Sequence, residues 1–555
     1  LTGFKNRQKD GKIIISDLDK WVDKKYIDAD NPTLWRPLVY QAEDFSGVML
    51  GEGEGPEIAP ITVRLGVKGS YRVWLGMCGH FIHYQLRVRL SNDICCQRIG
   101  PPEEAREPET AGLLKTLLYE VFWKEADLTG QDLILEGGYK PAFWPGALAY
   151  ICLEPIEKIR VKPSKKVSYP LAITNDGEGI FGKVPHFRPE DLLETFEEIP
   201  EDSCMRMLIW GIGGGADRCN YPTKTGSFLS GVDSFRDYEH LFFRNTQLWK
   251  KKKWDGLQLV KKYAQKRKWE FQVYIRMEAF TGPFPFDRLT SSGFFNSHPE
   301  YHCFDCEGQR VARLSYAYPE VQKHMLNIMR EIVKYNPDGI CLCFIRGVPM
   351  VLYEPIMVKG FMKKYGIDPR KLKERDPRWT DYQAEVITSF IKKIKAVLKP
   401  SQRLSAIVPG NKADCKRWGL DIPAWVQEGV VNDLLPMGQK FNKQDVHYDG
   451  AEDLDFGYFN KLKGRDKIRL IPMLYPWDKF QQDYSGWRQL IYSFLDQGAD
   501  AYGVWDATEH NFPRVGDIGY KKRTEHVPPK AKFRKKKLLT CQGFRIDRYH
   551  PYEVV

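Results

Sequence analysis

Residues 337–355 read PDGICLCFIRGVPMVLYEP. Gly339 opens an apolar run from Ile340 to Ile345, Arg346 and Gly347 end it, and the pair Glu354-Pro355 follows within a short loop. An apolar run of this length without polar alternation predicts a strand covered on both faces, as in a parallel sheet. Enzymes built on parallel sheets carry their chemistry at the carboxyl ends of the strands. Arg346 and Glu354 are therefore candidates for function as well as for capping.

Outward from this run, strand-like and helix-like segments alternate from about residue 203. The expected strands are Cys204–Trp210, a short one near Leu229–Val232, Phe271–Met277, Ile340–Ile345, Leu404–Val408, Val430–Leu435, Ile468–Leu474 and Ala501–Trp505. Helical spacing marks Trp254–Arg267, Pro319–Tyr335, Thr380–Leu398 and Tyr484–Asp496. Eight strands with helices between them predict an α/β fold, a (β/α)8 barrel over residues 203–515. An open doubly wound sheet is the alternative. Against it, the first expected strand runs into GIGGGADRC (211–219), which is not the GxGxxG dinucleotide fingerprint. These glycines are expected to shape an open substrate cleft.

Upstream, residues 1–170 contain short alternating runs separated by Gly, Asn, Asp and Pro, among them ITVRLGV (61–67), YRVWLGM (71–77) and YQLRVRL (84–90). This predicts a β-sandwich, ancillary or carbohydrate-binding, with Trp74, Trp123 and Trp144 as core rings or sugar platforms. Residues 171–202 read as a turn-rich linker, YPLAITNDGEGIFGK (169–183), followed by a helix opened by Pro189 and Glu190. Residues 516–555 form a basic carboxyl-terminal extension, read as a strand returning to the sandwich or a tail on the barrel.

The chain of 555 residues is too long for one core, and 42% hydrophobic with 28% charged residues is a globular composition. The formal charge of +12 favours anionic partners. Its concentrations at Lys250–Lys253 and Arg534–Lys537 read as solvated faces, and no zinc-finger, RRM or helix-turn-helix pattern points to nucleic acid. Twelve cysteines are too few for a disulfide scaffold, and Cys303-x-x-Cys306 is a lone CxxC. No run is apolar enough to span a bilayer, so no membrane partner is expected. A secreted or periplasmic location is expected if a signal peptide has been removed. A homo-oligomer is left open.

The expected strand ends supply Arg276 and Glu278 (third), Arg346 and Glu354 (fourth), and Asn411 and Lys412 (fifth). The sixth offers Asn432 and Asp433, the seventh Tyr475, Trp477 and Asp478, and the eighth Trp505, Asp506, Glu509 and His510. Trp210 closes the first. Recurring carboxylates among aromatic rings fit glycoside cleavage, in which one carboxyl protonates the leaving oxygen and another attacks or activates water. Arg346 is a candidate to pair with a uronate or sulphate or to lower the pKa of a neighbouring carboxylate, and Arg276 is a further substrate-binding candidate. There is no GxSxG, HExxH or P-loop. His302 with Asp305 and Glu307 lacks the spacing of a known metal-ligand set, so no metal and no cofactor are expected.

GICLCFIRG, the run Tyr365–Leu398, NDLLPMG (432–438) and YGVWD (502–506) resemble the glycosyl-hydrolase-like barrel proteins related to glycoside hydrolase family 10 and the α-amylase-like groups. The resemblance covers residues 203–510. It implies a (β/α)8 glycosidase with an ancillary β-domain, and an acid/base glutamate before proline, which falls on Glu354. Cys343 stands where the family strand has aspartate, and Tyr353 where the acid/base motif has asparagine. The carboxylates expected to act with Glu354 are Asp433 and Asp506, with Asp478 and Glu278 as reserves. The expected function is hydrolysis of a polysaccharide or oligosaccharide, neutral or anionic. A degenerate barrel that only binds carbohydrate, a polysaccharide lyase and a polyanion-binding scaffold are the alternatives.

Overall fold

In the computed structural model, residues 7–9, 11–53, 58–80, 84–100, 116–137, 144–159, 166–197, 199–200, 203–230, 237–277, 291–345, 349–373, 375–438, 440–441, 446–447, 454–475, 484–506, 516–520, 532–542 and 544–545 are described. The run at 340–345 lies between two buried layers. Ile340, Leu342 and Phe344 face the layer shared with the helices, and Cys341, Cys343 and Ile345 face the barrel interior. Both faces are dry, which is why the sequence shows no polar alternation there. Each such aliphatic or aromatic side chain contributes roughly 1.5–3 kcal/mol on burial.

Eight parallel strand positions close into a barrel. In chain order they are Leu171–Asn175, Met205–Gly211, Glu270–Arg276, Gly339–Cys343, Arg403–Pro409, Asp433–Met437, a position shared by Arg469–Leu470 and Met473–Leu474, and Tyr502–Val504. Closure runs through the pairing of Leu171 with Tyr502 and Ile173 with Val504. The first strand is thus LAITN, inside the stretch expected to be a linker, and Met205–Gly211 is the second. Among the described residues no barrel strand forms at Leu229 and Ser230, the rest of the expected strand lying outside them; Ser227–Phe228 instead pairs with Arg218–Cys219 in a two-stranded bridge outside the barrel. The helix Pro319–Lys334 shows how the outer layer is held: proline sits in its first turn, and Val321, Met325, Ile328, Met329 and Ile332 recur at helical spacing on its buried face.

The amino-terminal domain consists of two packed sheets. Trp123 and Trp74 are almost wholly buried, so both are core rings and not sugar platforms; the Trp144 side chain lies outside the described residues. The larger sheet is completed from the other end of the chain. Phe533–Lys536 pairs antiparallel with Thr116–Asp127 on one edge, and Leu538–Cys541 pairs with Arg36–Ala42 on the other. Only Lys537 separates these two strands, so one segment joins both edges and curls the sheet around Tyr40, Phe45, Met49, Tyr150 and Leu538. Edge strands left unpaired template aggregation, and this closure covers two of them.

The two domains meet at a buried ion cluster. Arg87, on the sandwich strand Tyr84–Leu90, donates from Nε to Glu194 Oε2 at 2.8 Å and from Nη1 to the Gly137 carbonyl at 3.0 Å. Glu194 belongs to the segment that leads into the second barrel strand. Glu136 accepts from Arg89 at 2.8 Å, and Arg98 lies 3.3 Å from Glu194. No helix among the described residues is long and apolar enough to cross a membrane.

Candidate active site

The carboxyl ends of the eighth, first, second and third strands bring four charged side chains together. Asp176 follows the first strand directly, Glu178 comes two residues later, Arg276 ends the third strand, and Asp506 follows the eighth. Arg276 is the hub. Its Nη2 donates to Asp176 Oδ2, its Nη1 to the Gly214 carbonyl at 3.1 Å, and its Nε to the Tyr274 hydroxyl at 3.1 Å. All three guanidinium nitrogens are engaged within the protein.

Asp506 is fixed from both sides. Its backbone N–H donates to Thr174 Oγ1 at 2.8 Å, and its carboxyl group accepts from the Asp176 backbone N–H. Its φ of +45° lies in the left-handed region, an uncommon and costly conformation for a residue other than glycine. Burial and the neighbouring Asp176 charge push its carboxyl up to about 6, against the pull of Lys183 and Arg276. Asp176 and Asp506 each keep partial exposure, although Asp176 Oδ1 is itself buried and Oδ2 is taken by Arg276. Beneath them Trp505 packs edge-on against Tyr274, with ring centroids 5.6 Å apart. Trp505 is 1% exposed, which makes it the floor of the site and not an open stacking face. Tyr475 packs against the same interior cluster and keeps partial exposure.

The glycines around GIGGGADRC serve close backbone approach. Gly177 has φ +77°, and a Cβ there would overlap the Gly211 carbonyl. At Gly214 a Cβ would overlap both carboxylate oxygens of Glu178. The second-strand loop therefore lies directly on the first-strand loop, and the glycines close a gap where an open cleft was expected.

Three of the expected site residues lie away from this mouth, and a fourth faces away from it. Asp433 begins the sixth strand, so it lies at the amino-terminal end of the barrel with Arg403, Arg469, Gln272 and Ser405. Burial opposes its charge, but hydrogen bonds from Arg469 and Arg403 win and hold its carboxyl far below the usual range. Asn432 is beside it, accepting from the Leu404 N–H at 2.9 Å and from Lys395 at 2.6 Å. Glu354 is 0% exposed and stands at the N-cap position of the helix Pro355–Tyr365, where its side chain makes no cap hydrogen bond. It accepts from the Leu352 N–H at 2.8 and 3.0 Å, beside the Cys303 thiol and Ser315 hydroxyl, and burial raises its carboxyl. Trp210 faces outward against Phe196 in the helix layer. Cys303 turns inward to Glu354 while Cys306 is exposed, so the CxxC forms no joint site. Glu278, Arg346, Trp477, Asp478, Glu509 and His510 lie outside the described residues. Asp176 and Glu178 were missed because NDGEG follows a strand of only five residues and reads as a turn; the short apolar run LAIT before it was the available signal.

The Asp433 assignment is directly testable. Asp433→Asn should cost about 2 kcal/mol of stability by leaving Arg403 and Arg469 without their anion. A carboxyl held low in the folded state stabilises above its unfolded pKa and stops doing so as pH falls through the folded value. The gap in melting temperature between wild type and variant should therefore persist through mild acid and close only in strong acid. Thermal melts recorded against pH check this, and catalysis per folded molecule should keep its pH profile.

No family model matches the sequence, and no curated protein matches it. Among solved structures the chain is similar to the glycoside hydrolase domain of PgaB (BpsB) from Bordetella bronchiseptica, with 12% identity and a TM-score of 0.41 over 64% of this chain and 100% of that one. It is also similar to the α-galactosidase TtGalA from Thermus thermophilus, with 12% identity and a TM-score of 0.32 over 85% of this chain and 87% of that one. A chitinase from Bacteroides thetaiotaomicron gives 11% identity and a TM-score of 0.32 over 65% and 99%. Likeness at this level is one of fold alone and assigns neither a family nor an activity.

Proposed function

We propose that this chain is a glycoside hydrolase in which Asp506 is the general acid and Asp176 the partner carboxylate. The observation that supports this reading is the contrast between two adjacent carboxyl groups. Asp176 is ion-paired with Arg276, while Asp506 is raised to about 6 by burial and by Asp176 itself. Glycoside cleavage requires two neighbouring acids, one to give a proton, here Asp506, and one to face the reacting centre as its partner, here the Arg276-paired Asp176. Their place at the carboxyl ends of barrel strands, and the strained backbone at Asp506, agree with it.

Each nitrogen of Arg276 already gives one N–H to Asp176, Gly214 or Tyr274, and its charge is paired with Asp176, so it is poorly placed to neutralise a uronate or sulphate as well. The described part of the mouth therefore supports a neutral sugar at the cleaved bond, with the +12 charge acting on a polymer only at longer range. Release of reducing ends from neutral, uronic and sulphated glycans tests both points. Turnover of a neutral glycan that falls steeply in Asp176→Asn supports the reading, and full activity in that variant sinks it. Cys343 favours the second reading, a barrel that binds sugar without cleaving it. It faces the barrel interior at the end of the fourth strand, where the resembled family has aspartate. Calorimetric glycan binding without turnover at any pH would select that reading.

A further inference from the structure

The Gly214 peptide is held at both ends by the charged cluster. Its N–H donates to Glu178 Oε2 at 2.7 Å, and its carbonyl accepts from Arg276 Nη1 at 3.1 Å. The guanidinium then continues to Asp176 through Nη2. Glu178, Gly214, Arg276 and Asp176 thus form one chain of contacts, with the backbone of a single residue, through the two peptide units that flank its Cα, in the middle. A side chain at that position would strike the Glu178 carboxylate and push it off the Gly214 N–H. We propose that Glu178 and Gly214 are positioning residues that orient Arg276 on Asp176 and so fix the charge that Asp506 faces; this rests on the glycoside hydrolase reading above.

Glu178 is suited to positioning and not to proton transfer. Burial raises its carboxyl, Arg276 and Arg218 oppose that rise, Asp176 adds to it, and one oxygen is already committed to Gly214. Among the described residues, the groups facing Asp506 are Asp176 and Lys183 from the first-strand loop and Arg276 from the third strand, with Thr174 Oγ1 on its backbone. Of these, Arg276 is the one held in place by the Gly214 peptide. If that peptide moves, Arg276 loses a carbonyl partner, its hold on Asp176 loosens, and Asp506 meets a less compensated anion. A misplacement of about 1 Å at a reacting group costs on the order of 100-fold in rate.

Three variants of the full chain test this: Gly214→Ala, Glu178→Ala and Glu178→Gln. Gly214→Ala and Glu178→Ala should each lower kcat about 100-fold and change KM by no more than about threefold. Glu178→Gln should recover most of that loss, because its amide oxygen accepts the same N–H. The alkaline limb of kcat should move to higher pH in Gly214→Ala and Glu178→Ala, since Asp506 would hold its proton longer beside the freed anion. Carbodiimide coupling of an amine to Asp506, followed against pH by peptide mass spectrometry, reads the same shift without turnover. Wild-type kcat and an unmoved coupling midpoint in both variants overturn the proposal. So does Glu178→Gln behaving like Glu178→Ala with no movement of the limb. If wild type cleaves no glycan, the hydrolase reading fails while the coupling midpoints still decide the positioning role. Should Gly214→Ala not fold, the two Glu178 variants decide it.

Discussion

Asp506→Asn should lower glycan hydrolysis by about 10³-fold or more, at the upper end of what a positioned proton donor supplies. Asparagine is the right replacement, because it is among the few residues that tolerate the left-handed backbone that Asp506 occupies at φ +45°. The variant therefore removes the proton without adding backbone strain, and its melting temperature should stay close to wild type. The sign of the pH dependence follows from the carboxyl being pushed up to about 6. Below that value Asp506 carries its proton and can protonate the leaving oxygen; as pH rises through it, kcat should fall. The anion of Asp176 contributes to that rise, so any residual kcat in Asp176→Asn should show its alkaline limb at lower pH. Initial rates of reducing-end release between roughly pH 4 and 9 measure both limbs. An Asp506→Asn protein that retains wild-type kcat, or an alkaline limb that stays put in Asp176→Asn, removes Asp506 from the acid role.

The barrel was legible in the sequence wherever both faces of a strand are dry. GICLC and RLSAIVP run without polar alternation because helices cover one side and the barrel interior the other. The first strand was not legible for the opposite reason. LAITN spans five residues, is flanked by Pro170 and Asp176, and carries too little apolar length to stand out from a turn. Losing that strand shifted the count and hid Asp176 and Glu178, the two acids nearest Arg276. Asp433 was misplaced because hydrophobicity does not say where a strand begins. Val430 and Val431 extend the apolar run, yet both N–H groups bond to the Trp425 carbonyl, and the strand starts at Asp433 itself. A shift of three residues along a strand is about 10 Å, enough to carry a carboxylate from one end of the barrel toward the other. Glu354 misled in a different way: glutamate before proline at a helix start suits a buried structural position as well as a catalytic motif, and here the carboxylate turns back to the Leu352 N–H of the preceding loop.

Arg87→Ala should destabilise the whole chain by about 3–5 kcal/mol, because it leaves Glu194 and Glu136 buried without their shared cation. Both acids are almost fully buried, 1% and 2% exposed, so solvent screening offers little relief. Removing both charges at once should be far milder. Arg87→Met combined with Glu194→Leu removes the Arg87–Glu194 pair as a whole and leaves Glu136 paired with Arg89, so the interaction energy between the two sites should account for most of the single-mutant loss, less what Arg98 loses with Glu194. Urea denaturation followed by tryptophan fluorescence and by hydrolysis measures this. Its form matters as much as its size. If the sandwich were an appendage on a mobile linker, Arg87→Ala would weaken the amino-terminal domain alone and leave the transition monitored by activity where it was. The cluster instead ties Arg87 to the segment between the first and second barrel strands, the stretch that begins at Asp176 and ends before Met205. Both probes should therefore shift together, and Asp176 should lose its support when the sandwich lets go. Separate transitions, with activity lost at the wild-type urea concentration, would show that the two domains share a boundary without sharing stability.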